Sequence, residues 1–201
     1  DQLTIALPHR WTEARLAQAP FDVTVLRNGL YAQVPVELAM SAAESAAASG
    51  VFAAPLGRGR VSVVAREDLA DIATRVAVET HADLAVGQRS RHAGRTYELE
   101  GETTFDGEDI AKALAATLGR PVRYQPLPLA LARKALTASG LAPYQVSHAV
   151  SMFSNIGAGL LESRGGELNA LLPTPPRPVL ELISNAVTAG RQVSRSVTTT
   201  S

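Results

Sequence analysis

A six-residue run, FDVTVL at 21–26, closes on Arg27-Asn28-Gly29 and narrows the choice of fold at once. It is rich in β-branched residues and mostly apolar, without alternation, so it suits a strand covered on both faces, the habit of interior strands in parallel sheets. Parallel strands need long crossover connections, usually helices. The next residues supply one, because 36–49 is alanine-rich and helical and stops at Gly50. A short strand at 51–54 leads to the turn Pro55-Leu56-Gly57-Arg58-Gly59, and 61–64 is a further strand. Ala65-Arg66-Glu67-Asp68 then opens a helix with Leu69, Ile72, Ala73 and Val76 on one face and acids in its first turn, where the helix dipole favours them.

On either side of this block the pattern continues. Residues 8–18 read as a short amphipathic helix with Trp11, Ala14, Leu16 and Ala17 available to pack. Residues 95–99 (RTYEL) form a strand, 102–105 a loop, and 107–118 a helix with Ile110, Leu114 and Leu118 on one face. Asp106 is its expected N-cap with Asp109 three residues on, and Gly119 its stop. After a short strand at 122–125 the chain reads as helical over 129–138, 143–161 and 178–189, broken by Gly140, Gly165-Gly166 and the prolines of 173–178. The Ser/Thr-rich residues 193–201 read as a disordered tail.

Composition excludes several classes of function. Lys plus Arg and Asp plus Glu balance at 19 each, so no global field draws the chain to nucleic acid, an anionic membrane or an acidic substrate. A small molecule or another protein is the expected partner. The absence of cysteine excludes disulfides, thiolate metal sites and a cysteine nucleophile. No signal peptide opens these residues and no apolar run reaches the roughly 20 residues that span a bilayer, so the expected location is cytoplasmic.

Three segments, in order, carry a family resemblance. His9-Arg10-Trp11-Thr12-Glu13 is followed by Thr24-Val25-Leu26-Arg27-Asn28-Gly29-Leu30-Tyr31. The second is GRVSVVAREDLADIA at 59–73, and the third is Tyr97-Glu98-Leu99-Glu100-Gly101 with the helix bearing Ile110 and Leu114. Leu171-Leu172-Pro173-Thr174-Pro175 adds a closing segment. This order resembles the NmrA-like, atypical short-chain dehydrogenase/reductase family, and within it the bacterial NAD(P)H:quinone oxidoreductase type. The resemblance implies an α/β fold: the C-terminal part of a Rossmann-like parallel sheet over 1–80, then a smaller, mostly helical substrate-side domain over 81–192. It implies an oxidoreductase using NADP or NAD to reduce a quinone or similar carbonyl compound, or else a non-catalytic NAD(P)-sensing regulator. A member of the family would also carry a strand, a Gly-rich turn and a helix whose amides hold the cofactor pyrophosphate. No such unit stands in these residues, since Gly57-Arg58-Gly59 precedes a strand rather than a helix. The expectation is therefore a C-terminal half that binds dinucleotide weakly when isolated. Removal of its sheet neighbours would bare an apolar edge, to be covered by an N-terminal fragment or a second copy. Ala32-Gln33 also departs from the Glu-Asn frequent there in the family.

His9 and Glu13 are four apart and share a helix face. In the resemblance they stand where typical short-chain dehydrogenases carry Tyr-x-x-x-Lys, and so become catalytic candidates. A histidine can take the acid's part, although a carboxylate does not imitate the lysine. The other reading is a surface ion pair. Asn28, Gly29 and Tyr31 follow the carboxyl end of the strand, where open α/β sheets bind ligands. Asn28 offers a donor and an acceptor to a carboxamide such as that of nicotinamide, Gly29 permits close approach, and Tyr31 can stack. Alternatively, Asn28-Gly29 is only a positive-φ turn. Arg66 and Asp68 read as an ion pair capping their helix, or as groups that position the pocket. Tyr144, His148 and Met152 recur at helical spacing, either lining a lid over a hydrophobic substrate or belonging to core or interface. His81 and His92 lack metal-ligand spacing, so no metal site is expected.

Overall fold

The computed structural model describes Thr4 and residues 6–198. Its elements follow the expected order: α1 (Ala6–Leu16), β1 (Val25–Asn28), α2 (Gln33–Ser49), β2 (Val51–Ala54), β3 (Val61–Ser62), α3 (Arg66–Ala85) and β4 (Thr96–Leu99). Then come β5 (Thr104–Phe105), α4 (Gly107–Leu118), β6 (Arg123–Pro126), α5 (Leu129–Ala138), α6 (Pro143–Gly157), α7 (Leu168–Leu171) and α8 (Val179–Thr198). The fold is α/β, with β1 parallel to β4 and β2 parallel to β6, whereas β3 and β5 pair antiparallel. A parallel bridge between Tyr31 and Val64 carries the pairing past the end of β1.

Local signals hold where local geometry governs. Asp106 caps α4 through the backbone N–H of Asp109 at 3.0 Å, the Asp109 carboxylate returns the bond to the N–H of Asp106, and Gly119 closes the helix in the left-handed region. The strand β5 and the helix α7 stand where the sequence suggests a loop and a break. Each is short, and β5 exists only through its register with Val61 and Ser62. Helix α6 ends at Gly157, earlier than the pattern suggests. Conversely, α8 runs on through 193–198, part of the expected disordered tail; 199–201 lie outside the described residues. A helix anchored by Ile183 and Val187 extends at little cost per added residue, even through serine and threonine.

Two cores form. Phe52, Phe105, Ile110, Leu114, Ile156 and Ile183 fill the space among α2, β2, α4, α6 and α8. Val64, Leu69, Ile72, Tyr97, Leu99 and Leu168 fill that between α3, β4 and α7. Both draw on residues before and after 80. The first core is closed by Tyr124, whose hydroxyl donates to the carbonyls of Ala54 and Gly57 at 3.1 and 3.0 Å. Burial pushes this phenol up to about 12.

The expected burial of α1 and β1 is not met. No residue of α1 is buried, and Trp11 and Phe21 are 67% and 66% exposed. Among the described residues β1 pairs with β4 alone, and its residues are half-buried or exposed.

The loop that returns the chain from α3 to β4 is fastened by side chains. Asp83 is buried and receives the backbone N–H of Arg91 at 2.8 Å and its guanidinium at 2.6 and 3.0 Å. These bonds hold its carboxyl down to about 2. His92, also buried, bonds Tyr97 through Nδ1 at 2.7 Å and Glu79 through Nε2 at 2.8 Å, and its carbonyl accepts from Thr24 next to β1. Because the Asp83 carboxyl is depressed in the folded state, its contribution is complete above the unfolded value near 3.8 and disappears as pH falls toward 2. The melting temperature of the chain should fall across this acid window, and Asp83→Asn should flatten that part of the profile. An unchanged slope in the variant would assign acid sensitivity elsewhere.

Candidate ligand cleft at the strand ends

Asn28 is the last residue of β1 and lies in register with Leu99. Two residues beyond Gly29, Tyr31 meets Val64, and the chain from Val64 turns directly into α3. The turn brings the first residues of α3 against the end of β1. Asn28, Tyr31, Arg66, Leu69, Ala70 and Ala73 line the resulting shallow cleft of about 410 Å3. The Arg66 guanidinium lies 5.1 Å from the centroid of the Tyr31 ring, a cation–π contact, and has no carboxylate partner among the described residues. A second concavity of about 340 Å3 lies between α4 and α8, lined by residues including Thr117, Thr188 and Arg191. No strand end contributes to it, so it lacks the geometry by which α/β sheets collect ligands.

Gly29 does not line the cleft. Its φ is not positive, so Asn28-Gly29 is not the left-handed turn that was one reading of the sequence. Here the need is space: a Cβ at this position would stand 2.9 Å from the Leu99 carbonyl oxygen and 3.3 Å from a Val64 methyl. The glycine lets the strand end cross between β4 and the Val64 segment, with its N–H donating to Leu99 at 3.0 Å.

The helix that walls the cleft is held from below. Asp68 is 1% exposed and accepts the backbone N–H of Arg177 at 3.0 Å together with its guanidinium. The same guanidinium reaches Asp71 at 3.2 Å. The expected Arg66–Asp68 pair is therefore not formed. Residues two apart on a helix point to different sides; here Arg66 faces the cleft while Asp68 faces the interior.

Glu13 is likewise claimed by a partner other than the expected one. Arg27 grips its carboxylate with both prongs, Nε to Oε1 at 2.8 Å and Nη2 to Oε2 at 2.6 Å, and touches Glu98 as well. The Arg27 bonds hold the Glu13 carboxyl below its ordinary value, and a carboxylate so held is a poor proton donor. His9 is exposed one turn away and makes no hydrogen bond with Glu13 among the described residues. The Glu13–Arg27 pair thus ties α1 to the end of β1, and His9 has no part in it.

Tyr144, His148 and Met152 do not converge on a lid. Tyr144 is 75% exposed, His148 bonds Thr4 through Nδ1 at 3.1 Å, and Met152 is buried in the first core. Burial in α6 increases along its length, so helical spacing alone does not give the three a common environment. None of them lines the cleft. His81 is exposed and His92 is occupied by Glu79 and Tyr97; among the described residues no group of three or more acids, histidines or cysteines could hold a metal. Among the described residues no helix is long and apolar enough to cross a membrane.

No family model matches the chain. Individual proteins do. Quinone oxidoreductase 2 of Escherichia coli strain K12 is 33% identical over 139 residues, covering 69% of this chain and 44% of that protein. The crystal structure of the Escherichia coli NADPH-dependent quinone oxidoreductase complexed with NADPH aligns with 92% of this chain and 60% of its own, at 29% identity and a TM-score of 0.74. These reductases are homologues of this chain. An NAD(P)H azoreductase of Xenophilus azovorans is 33% identical over 92 residues, 46% of this chain and 29% of that protein. The resemblance to NmrA-like atypical short-chain dehydrogenases/reductases is thereby borne out, as is the Rossmann-like α/β fold. The chain spans less than half the length of the first relative.

The Asp68–Arg177 pair is open to a direct test. Arg177→Gln leaves a buried carboxylate without its cation; fully buried pairs lose ~3–5 kcal/mol in this way, and with Arg177 40% exposed the expected loss is about 2 kcal/mol. Chemical denaturation measures it, and a variant as stable as the parent would show that Asp68 is satisfied by other means.

Proposed function

We propose that the whole protein is an NAD(P)H-dependent oxidoreductase that reduces a quinone or a similar carbonyl compound. The observation that carries this reading is the homology to reductases named for quinone and azo substrates, coupled to a cleft at the end of a parallel strand. The reduced dinucleotide, when bound, supplies a hydride, and the quinone takes it up with one proton to become the hydroquinone. The residues present fit flat, largely apolar rings: Leu69, Ala70 and Ala73 form an apolar side, Tyr31 an aromatic one, and the exposed Asn28 amide stands at the strand end. In this reading Asn28 bonds the nicotinamide carboxamide with its donor and acceptor, fixing which face of the ring meets the substrate. Tyr31 is a wall against which a ring lies. Glu13, bound to Arg27, keeps the strand end in place, and His9, exposed on α1 and outside the cleft lining, is the candidate proton donor of this reading.

Turnover of NADPH by the whole protein with a quinone present tests the reading. Asn28→Ala should lower kcat/KM about 10-fold, the worth of one well-placed hydrogen bond. Absence of any quinone-dependent oxidation would exclude it in favour of a protein that binds dinucleotide without turning it over.

The side of β1 left unpaired among the described residues, with Trp11 and Phe21 exposed nearby in the chain, calls for a cover, and in this proposal it is an N-terminal segment of the same Rossmann-like sheet or a second copy of the chain. Light scattering on the isolated 201-residue chain should accordingly show self-association. A monodisperse, cooperatively folding monomer would count against it.

A further inference from the structure

Arg66 is unusual in its setting. It stands on the cleft wall, at the first position of α3, with its guanidinium over the Tyr31 ring. The neighbouring arginines on this side of the fold are spent on acids: Arg27 on Glu13 and Glu98, Arg177 on Asp68 and Asp71. Among the described residues Arg66 has no such acid, although Glu67 and Asp68 follow it directly. Its planar face is engaged by an aromatic ring, which orients the fork while leaving its N–H donors available. Those donors border a surface otherwise made of Leu69, Ala70 and Ala73, where water competes less for a bound oxygen than at an open surface.

We infer that Arg66 recognises an oxyanion carried on the substrate, so that the protein prefers flat aromatic acceptors bearing a carboxylate or sulfonate over their uncharged analogues. This rests on the reductase reading for its substrate class, but the recognition is a binding property and can be measured without turnover. An oxyanion of this kind could equally come from a phosphate of the dinucleotide. The apolar residues beside Arg66 favour the aromatic acceptor, because a phosphate brings no flat apolar body to lie against them.

The test is calorimetric titration of the chain with anthraquinone-2-sulfonate, with 2-(hydroxymethyl)anthraquinone as the uncharged analogue, and with NADPH as a third probe. It is run on the parent, on Arg66→Gln and on Arg66→Lys, each checked for an unchanged far-ultraviolet spectrum. Loss of a charge-assisted bidentate contact should weaken the sulfonate about 10-fold in Arg66→Gln. The uncharged quinone should change less than about 3-fold, and Arg66→Lys should recover only part of the difference, since it keeps the charge without the planar fork. Equal weakening of both quinones would reduce Arg66 to a support for Tyr31 and overturn the inference. So would failure of the parent to bind the sulfonate more tightly than its uncharged analogue, or weakening confined to NADPH, which would move the oxyanion to the cofactor. Lack of catalytic turnover with these quinones would bear on the proposed activity alone.

Discussion

A single buried carboxylate joins the parts of this molecule. Asp68 sits in the first turn of α3, almost wholly out of water, and takes both a backbone N–H and the guanidinium of Arg177, which lies just ahead of α8. A lone carboxylate in such a place would be strongly disfavoured, and the pair is what makes its burial tolerable. The consequence is geometric. Helix α3 packs in one core and α8 in the other, so the pair sets where the cleft wall stands relative to the larger core.

From that fixed point the site follows by helical geometry. With Asp68 turned inward, Arg66 has to turn toward the strand end, where Tyr31 receives it. The far end of α3 is tied by Asp83 to Arg91 and by Glu79 to His92, and His92 joins Tyr97 on β4. Strand β4 in turn sets β1, and the Leu99 carbonyl sets Gly29. Asn28 and Tyr31 thus owe their positions to contacts made at both ends of one helix. Their cleft is shallow and open.

The charged residues divide by what surrounds them. Glu13, Asp68, Asp83 and Glu79 each meet an arginine, and these pairs act as fasteners. Reaction chemistry that needs a movable proton finds little use for acids bound in this way. The polar and aromatic groups that face the cleft are the Asn28 amide and the Arg66 fork stacked on the Tyr31 ring, all suited to binding and orienting rather than to proton transfer.

The order of elements, the parallel character of β1 and the capping of α4 were legible in the residues alone, because apolar periodicity, side-chain caps and glycine stops act over a few neighbours. The cleft at the parallel strand end could be expected for the same reason, since a strand's direction follows from its own pattern and its crossover. Partners were not. Asp68 and Arg177 are 109 residues apart, and Arg27 and Glu98 are 71 apart; no local pattern distinguishes a carboxylate that will meet a distant cation from one that will pair with its neighbour. Spacing put Tyr144, His148 and Met152 on one helical face, but only the packing of α6 decided that one ends in solvent and another in a core. Gly29 could be seen to matter from the sequence, yet whether for its φ or for the space beside it depended on where Leu99 and Val64 arrive, and that is a property of the folded chain.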